Sequence, residues 1–150
     1  MVETQHHVFS NVQQAYVNEL AGSFFITAQM YVRAASRLAG EELPRLTLLL
    51  FALELALKAY LVDAGTPEKT LRQPKVRHDL KELYGLAKTT GLHLTNPEVV
   101  AVIDDYRDDH KDHSFRYGGR GHVDLGDPDR ALRTISATVS EIGEVLKRKL

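Results

Sequence analysis

Apolar residues recur along most of the chain at intervals of three and four, the period of an amphipathic helix. Val12, Tyr16, Leu20, Phe24, Ala28, Tyr31, Ala35 and Leu38 fall in such a series before Gly40, and Ser10 with Gln13 resembles a capping box ahead of it. The spacing predicts a long first helix from about Ser10, with Gly22 near its middle as the one weak point, since glycine costs about 1 kcal/mol relative to alanine there. Pro44 suits the first turn of a second helix that runs to about Gly65. The two should form a hairpin.

The second helix contains the most apolar run of the chain, residues 46–62, "LTLLLFALELALKAYLV". Its length approaches the roughly 20 residues of a membrane span, but Glu54 and Lys58 near its middle would be costly in lipid. A helix buried in a protein core is the better reading. The order acid then base at i, i+4 favours a local ion pair, worth about 0.2–0.5 kcal/mol on an exposed face. So few other polar groups occur that the helix should be covered on most sides.

After the polar loop "GTPEKTLRQPKVRH", Leu80, Leu83, Leu86 and Ala87 share one face of a third helix that opens at Asp79 and Glu82 and closes at Gly91. Asn96 and Pro97 start a fourth, in which Val99, Ile103, Tyr106, His110 and His113 follow one stripe; either the helix carries both histidines on that face, or it has frayed by then and leaves both exposed. The segment "SFRYGGRGHVDLG" is too rich in glycine to be helical and can bring its backbone close to a ligand. Asp127 and Pro128 open the last helix, with Leu132, Ile135, Val139, Ile142 and Leu146 on one face and "KRKL" suiting its C-terminal dipole. No strand pattern or repeat is evident. The expected fold is all-α, an up-and-down bundle of four main helices plus a shorter one, built as one domain over residues 1–150.

Composition narrows the classes. There is no cysteine, so disulfides and thiolate metal sites are excluded and a reducing cytoplasm is the expected compartment. The start, "MVETQHHVFS", lacks the features of a signal peptide. A net charge of −1 argues against general affinity for nucleic acid, so any such binding must come from a local patch.

The densest run of ionisable groups is "DDYRDDHKDHSFRYGGRGH", residues 104–122. It allows three chemistries. Asp109, His110 and His113 could converge on a metal, though the spacing is loose and no HExxH pattern is present. Arg116, Arg120 and the amides of residues 118–121 could hold a phosphate. Arg107 could stabilise negative charge while His113 moves protons at a phosphodiester. In a continuous helix, however, those two side chains would point about 120° apart. His78 stands outside this run, at the entry to the third helix. If the second and third helices pack together it could reach Glu54, whose candidate donors are His78, Arg116 and Lys58.

Taken in order, "LELALKAYLVDAG", "HDLKELYGLAKTTGL" and "HSFRYG" resemble one branch of the HEPN superfamily of small helical domains, over nearly the whole chain from about Ala21. The resemblance implies a four- or five-helix bundle, a homodimer, and links to RNA cleavage, toxin–antitoxin pairs, defence systems or a partner nucleotidyltransferase. Arg107, Asp108 and His113 fit the arginine, polar residue and histidine of the superfamily's metal-independent ribonucleases. Glu54, Lys58, His78, Arg116 and Tyr117 mark this branch better and look more like a ligand-binding or structural network.

The leading expectation is a cytoplasmic HEPN-like dimer that binds RNA, a nucleotide or another phosphorylated ligand through Arg116, Tyr117, Arg120 and the glycine loop, with Glu54, Lys58 and His78 in support. One alternative is a metal-independent endoribonuclease using Arg107 and His113. Another is a non-catalytic structural or partner-binding bundle, such as an antitoxin-like companion. No cofactor, resident metal or membrane contact is expected.

Overall fold

The computed structural model describes the backbone of residues 2–117 and 125–147, and the side chains of residues 13–115 and 125–147. The described residues are all-helical, in six helices: α1 (Val2–Ser36), α2 (Glu42–Asp63), α3 (Glu68–Leu71), α4 (Leu80–Thr89), α5 (Glu98–Lys111) and α6 (Pro128–Lys147). A 3₁₀ turn, Ser114–Tyr117, follows α5.

Helix α2 is the centre of the bundle. It packs against α1, α4, α5, α6 and the 3₁₀ turn, which is why its sequence is apolar almost all round. Its leucines at 46, 49, 50, 53, 57 and 61 are fully buried. No described helix is long and apolar enough to cross a membrane. Helix α1 lies along α2 with Ala21, Ala28 and Ala35 buried at seven-residue intervals, small side chains that let the two axes come close. At the other side, α6 turns Ala131, Ile135, Val139 and Ile142 inward, together with the small residues Thr134, Thr138 and Gly143.

Three elements differ from expectation. Helix α1 begins at Val2 and runs through both Ser10 and Gly22 without a break. A methyl group at Gly22 would meet no atom within 4 Å, so nothing in the packing there opposes a continuous helix. Tyr16, expected on the buried stripe, is 56 % exposed and instead donates its hydroxyl to Glu68 at 2.8 Å. The loop between the second and third expected helices contains the one-turn α3, held because Leu71 is buried. Most consequential for the site, α5 ends at Lys111, two residues short of the expected stripe.

Polar bonds fix the helix ends. Arg45, buried in α2, bridges Glu42 of its own first turn and Asp129 in the first turn of α6, at 3.1 and 2.7 Å. Tyr60 donates to the carbonyl of Thr90 behind α4, and Tyr106 to that of Leu125 ahead of α6.

Candidate functional site

Two buried carboxylates, one on α2 and one at the start of α4, gather most of the ionisable groups singled out above. Glu54 is 3 % exposed. Its Oε2 accepts from Lys58 Nζ at 3.1 Å, the i, i+4 pair anticipated within the helix. Its Oε1 faces His78 Nδ1 at 3.0 Å and His110 Nε2 at 2.9 Å. Burial alone would push the carboxyl up. The hydrogen bond from His110, the charges of Lys58 and His110, and the bond from His78 outweigh it and hold Glu54 at about 2. The group is therefore ionised at neutral pH and can only accept, so both imidazoles turn an N–H toward it.

Asp79 is the residue next to His78 and is also buried, at 2 % exposure. It caps α4 by accepting from the backbone amides of Lys81 and Glu82 at 3.1 and 3.3 Å. Arg107 reaches it from α5 with two parallel bonds, Nε to Oδ1 and Nη2 to Oδ2, both 2.8 Å. Lys111 approaches Oδ2 at 3.6 Å. Here again burial raises the carboxyl, but the Arg107 bond and the Glu82 amide prevail and keep it below the usual carboxylate range.

The spacing of these donors explains how α5 serves both carboxylates. Arg107, His110 and Lys111 are three and four residues apart, so they share one face of the helix. That face clamps α5 onto α2 through Glu54 and onto the start of α4 through Asp79.

His113 reaches the same place by leaving the helix. After Lys111 the chain turns, and His113 takes φ = 56°, the single non-glycine with positive φ among the described residues. Its ring lies 4.7 Å from that of His78, edge to face, and stacks on Phe51 at 6.3 Å. Phe51 also meets the edge of His110 at 4.8 Å. The turn is held by Ser114 Oγ, which donates to Asp109 Oδ1 at 2.8 Å, and by Phe115, buried beside Tyr106. Arg107 and His113 thus meet consecutive residues, Asp79 and His78, although a continuous helix would have pointed them apart.

Of the expected site residues, Glu54, Lys58, His78, Arg107 and His113 are brought together. The backbone of Arg116 and Tyr117 follows directly in the 3₁₀ turn, but their side chains, Arg120 and the glycine loop 118–124 lie outside the described residues. Sequence reasoning missed His110 as the second imidazole on Glu54, and treated Asp79 only as a helix start. The available signal was the i, i+3, i+4 set of Arg107, His110 and Lys111. The expected donation from Arg116 to Glu54 falls on a side chain outside the described residues; the described donors to that carboxylate are Lys58, His78 and His110. Among the described residues no group of three His, Asp or Glu side chains is arranged to hold a metal ion.

The exposed edge of the site carries imidazole, guanidinium and ammonium groups, with the exposed carboxylates of Asp108 and Glu82 close enough to act on Arg107. His78 and Arg107 each keep 31 % of their side chains exposed and Lys111 keeps 45 %, while the carboxylates of Glu54 and Asp79 lie beneath. Such an edge offers N–H donors to an anion. Comparison of the chain with protein-family models, curated proteins and solved structures finds no match.

Proposed function

We propose that the protein is a HEPN-like domain, a four-helix bundle with accessory short helices, that binds RNA or a related phosphorylated ligand over the edge where His78, Arg107 and His113 meet. The observation that carries this reading is the convergence itself: the His78 and His113 rings touch above the buried Glu54, and Arg107 from α5 pairs with Asp79, the residue next to His78. Arg116, Tyr117 and Arg120 extend the phosphate contacts in this proposal, and Lys75 and Arg77, exposed in the loop that leads into His78, add positive charge to its approach. The working unit is a homodimer that acts in a toxin–antitoxin or defence setting, beside an antitoxin or a nucleotidyltransferase.

A second reading, metal-independent cleavage of RNA, is favoured by one specific feature. The end of α5 at Lys111 and the left-handed His113 remove the angular objection to Arg107 and His113 acting together. Fluorescence anisotropy with a labelled oligoribonucleotide at two salt concentrations, in EDTA, tests both. Binding that weakens with salt and in Arg116→Ala or Arg120→Ala supports the first reading, and absence of binding to RNA, nucleotides and inorganic phosphate overturns it. Cleavage in EDTA that spares DNA and stops in His113→Ala establishes the second.

A further inference from the structure

The buried Glu54 does more than fill the core: it fixes which nitrogen of His78 is left outward. An ionised carboxylate on Nδ1 requires the proton there, so the lone pair of a neutral ring stands on Nε2. Lys58 on the far oxygen and His110 on the shared one hold the carboxylate in place, and the 31 % exposed ring projects from it to the surface. A carboxylate on one imidazole nitrogen with the other directed outward is the arrangement that orients a general base. The ring edge meets His113, a second imidazole 4.7 Å away. The titratable and charged groups facing His78 are Glu54 and His113; Lys58 and His110 share Glu54 with it, and Arg107 and Lys111 pair with the adjoining Asp79.

We propose that His78 is the general base of a phosphodiester reaction, Glu54 its positioning residue and His113 the general acid, with RNA lying across the outer edges of the two touching rings. The proposal rests on the ribonuclease reading and adds to the Arg107 and His113 pair a second proton-transfer group. His78 Nε2 takes the proton of the ribose 2′-hydroxyl, and the 2′-oxygen attacks the adjacent phosphorus. The new P–O2′ bond forms as the P–O5′ bond breaks, and protonated His113 gives its proton to the departing 5′-oxygen. The products are a 2′,3′-cyclic phosphate and a 5′-hydroxyl; His78 holds one proton more and His113 one fewer, and water restores both. Glu54 stabilises the imidazolium that forms on His78, and Arg107, steadied by Asp79, faces the phosphate.

Single-turnover cleavage of a short oligoribonucleotide in EDTA separates the roles. His78→Gln and His113→Ala should each slow the reaction by about 100-fold or more. With uridine 3′-(4-nitrophenyl phosphate), whose leaving group needs no acid, His113→Ala should recover most of the wild-type rate and His78→Ala should not. Added imidazole should partly rescue His78→Ala. On the wild-type protein, ¹⁵N NMR of the imidazole rings should show His78 as the Nδ1–H tautomer, and Glu54→Gln should release it to a mixture. An Nε2–H tautomer in wild type overturns the dyad whether or not any variant folds. Wild-type rates in folded His78→Gln overturn the dyad and leave the ribonuclease reading standing, whereas no cleavage of either substrate by wild type overturns both.

Discussion

Glu54 combines near-complete burial with a carboxyl held well below its ordinary range. It has lost its water and retains charge only because three donors surround it. Removing the carboxylate leaves those donors unpaired in the core, so Glu54→Ala should lower the unfolding free energy by about 3–5 kcal/mol, read from urea denaturation. The same group sets an acid limit. Its folded value of about 2 lies below the 4.5 of a free glutamate, so the folded state binds this proton more weakly than the unfolded chain. The resulting stabilisation, about 3 kcal/mol, is complete above pH 4.5 and is lost as pH falls toward 2. Asp79, shifted in the same direction, adds to that loss. Urea midpoints measured from pH 6 to pH 2 should fall steeply in wild type and less steeply in Glu54→Gln; equal slopes would show that Glu54 is not the group responsible.

At the scale of elements, two glycines in long helices make opposite predictions. Gly22 sits inside α1 with open space around it, so Gly22→Ala should stabilise the protein by up to about 1 kcal/mol through helix propensity alone. Gly143 sits where α6 crosses α1, and a methyl group there would lie 2.6 Å from Phe25 Cζ. Gly143→Ala gains the same propensity but must displace the Phe25 ring, at a cost of about 1–3 kcal/mol. Thermal melts of the two variants should therefore move in opposite directions. Hydrophobic periodicity could mark the face of α1 but not this contact, because a glycine pressed against a neighbour and a glycine facing solvent look alike in the sequence. The end of α5 is a similar case. The apolar stripe continued through His113 on paper, whereas the Ser114 to Asp109 bond and the burial of Phe115 turn the chain after Lys111.

For the molecule as a whole, the proposed dimer gives a direct test: light scattering should report twice the 16.8 kDa chain mass at micromolar concentration, and a monomer throughout would remove it. The all-helical class, the central place of α2 and the turn positions at Gly40, Gly65 and Gly91 were legible in the chain, because helix periodicity and breaking residues act locally. Even the burial of Glu54 followed from its isolation in an apolar helix, and His78 was recognised as a donor once packing of the second and third helices was assumed. The rest required the fold. His110 and His113 lie on one stripe in the sequence, yet they occupy different positions at the site: His110 goes beneath to Glu54, and His113 turns out onto His78. Arg107 is paired to a carboxylate 28 residues away at the start of another helix. Sequence spacing determines which side chains share a helix face, but their partners depend on how the helices pack and where each one stops. Those are properties of the assembled core, in which a buried charge persists only beside the particular donors that packing delivers to it.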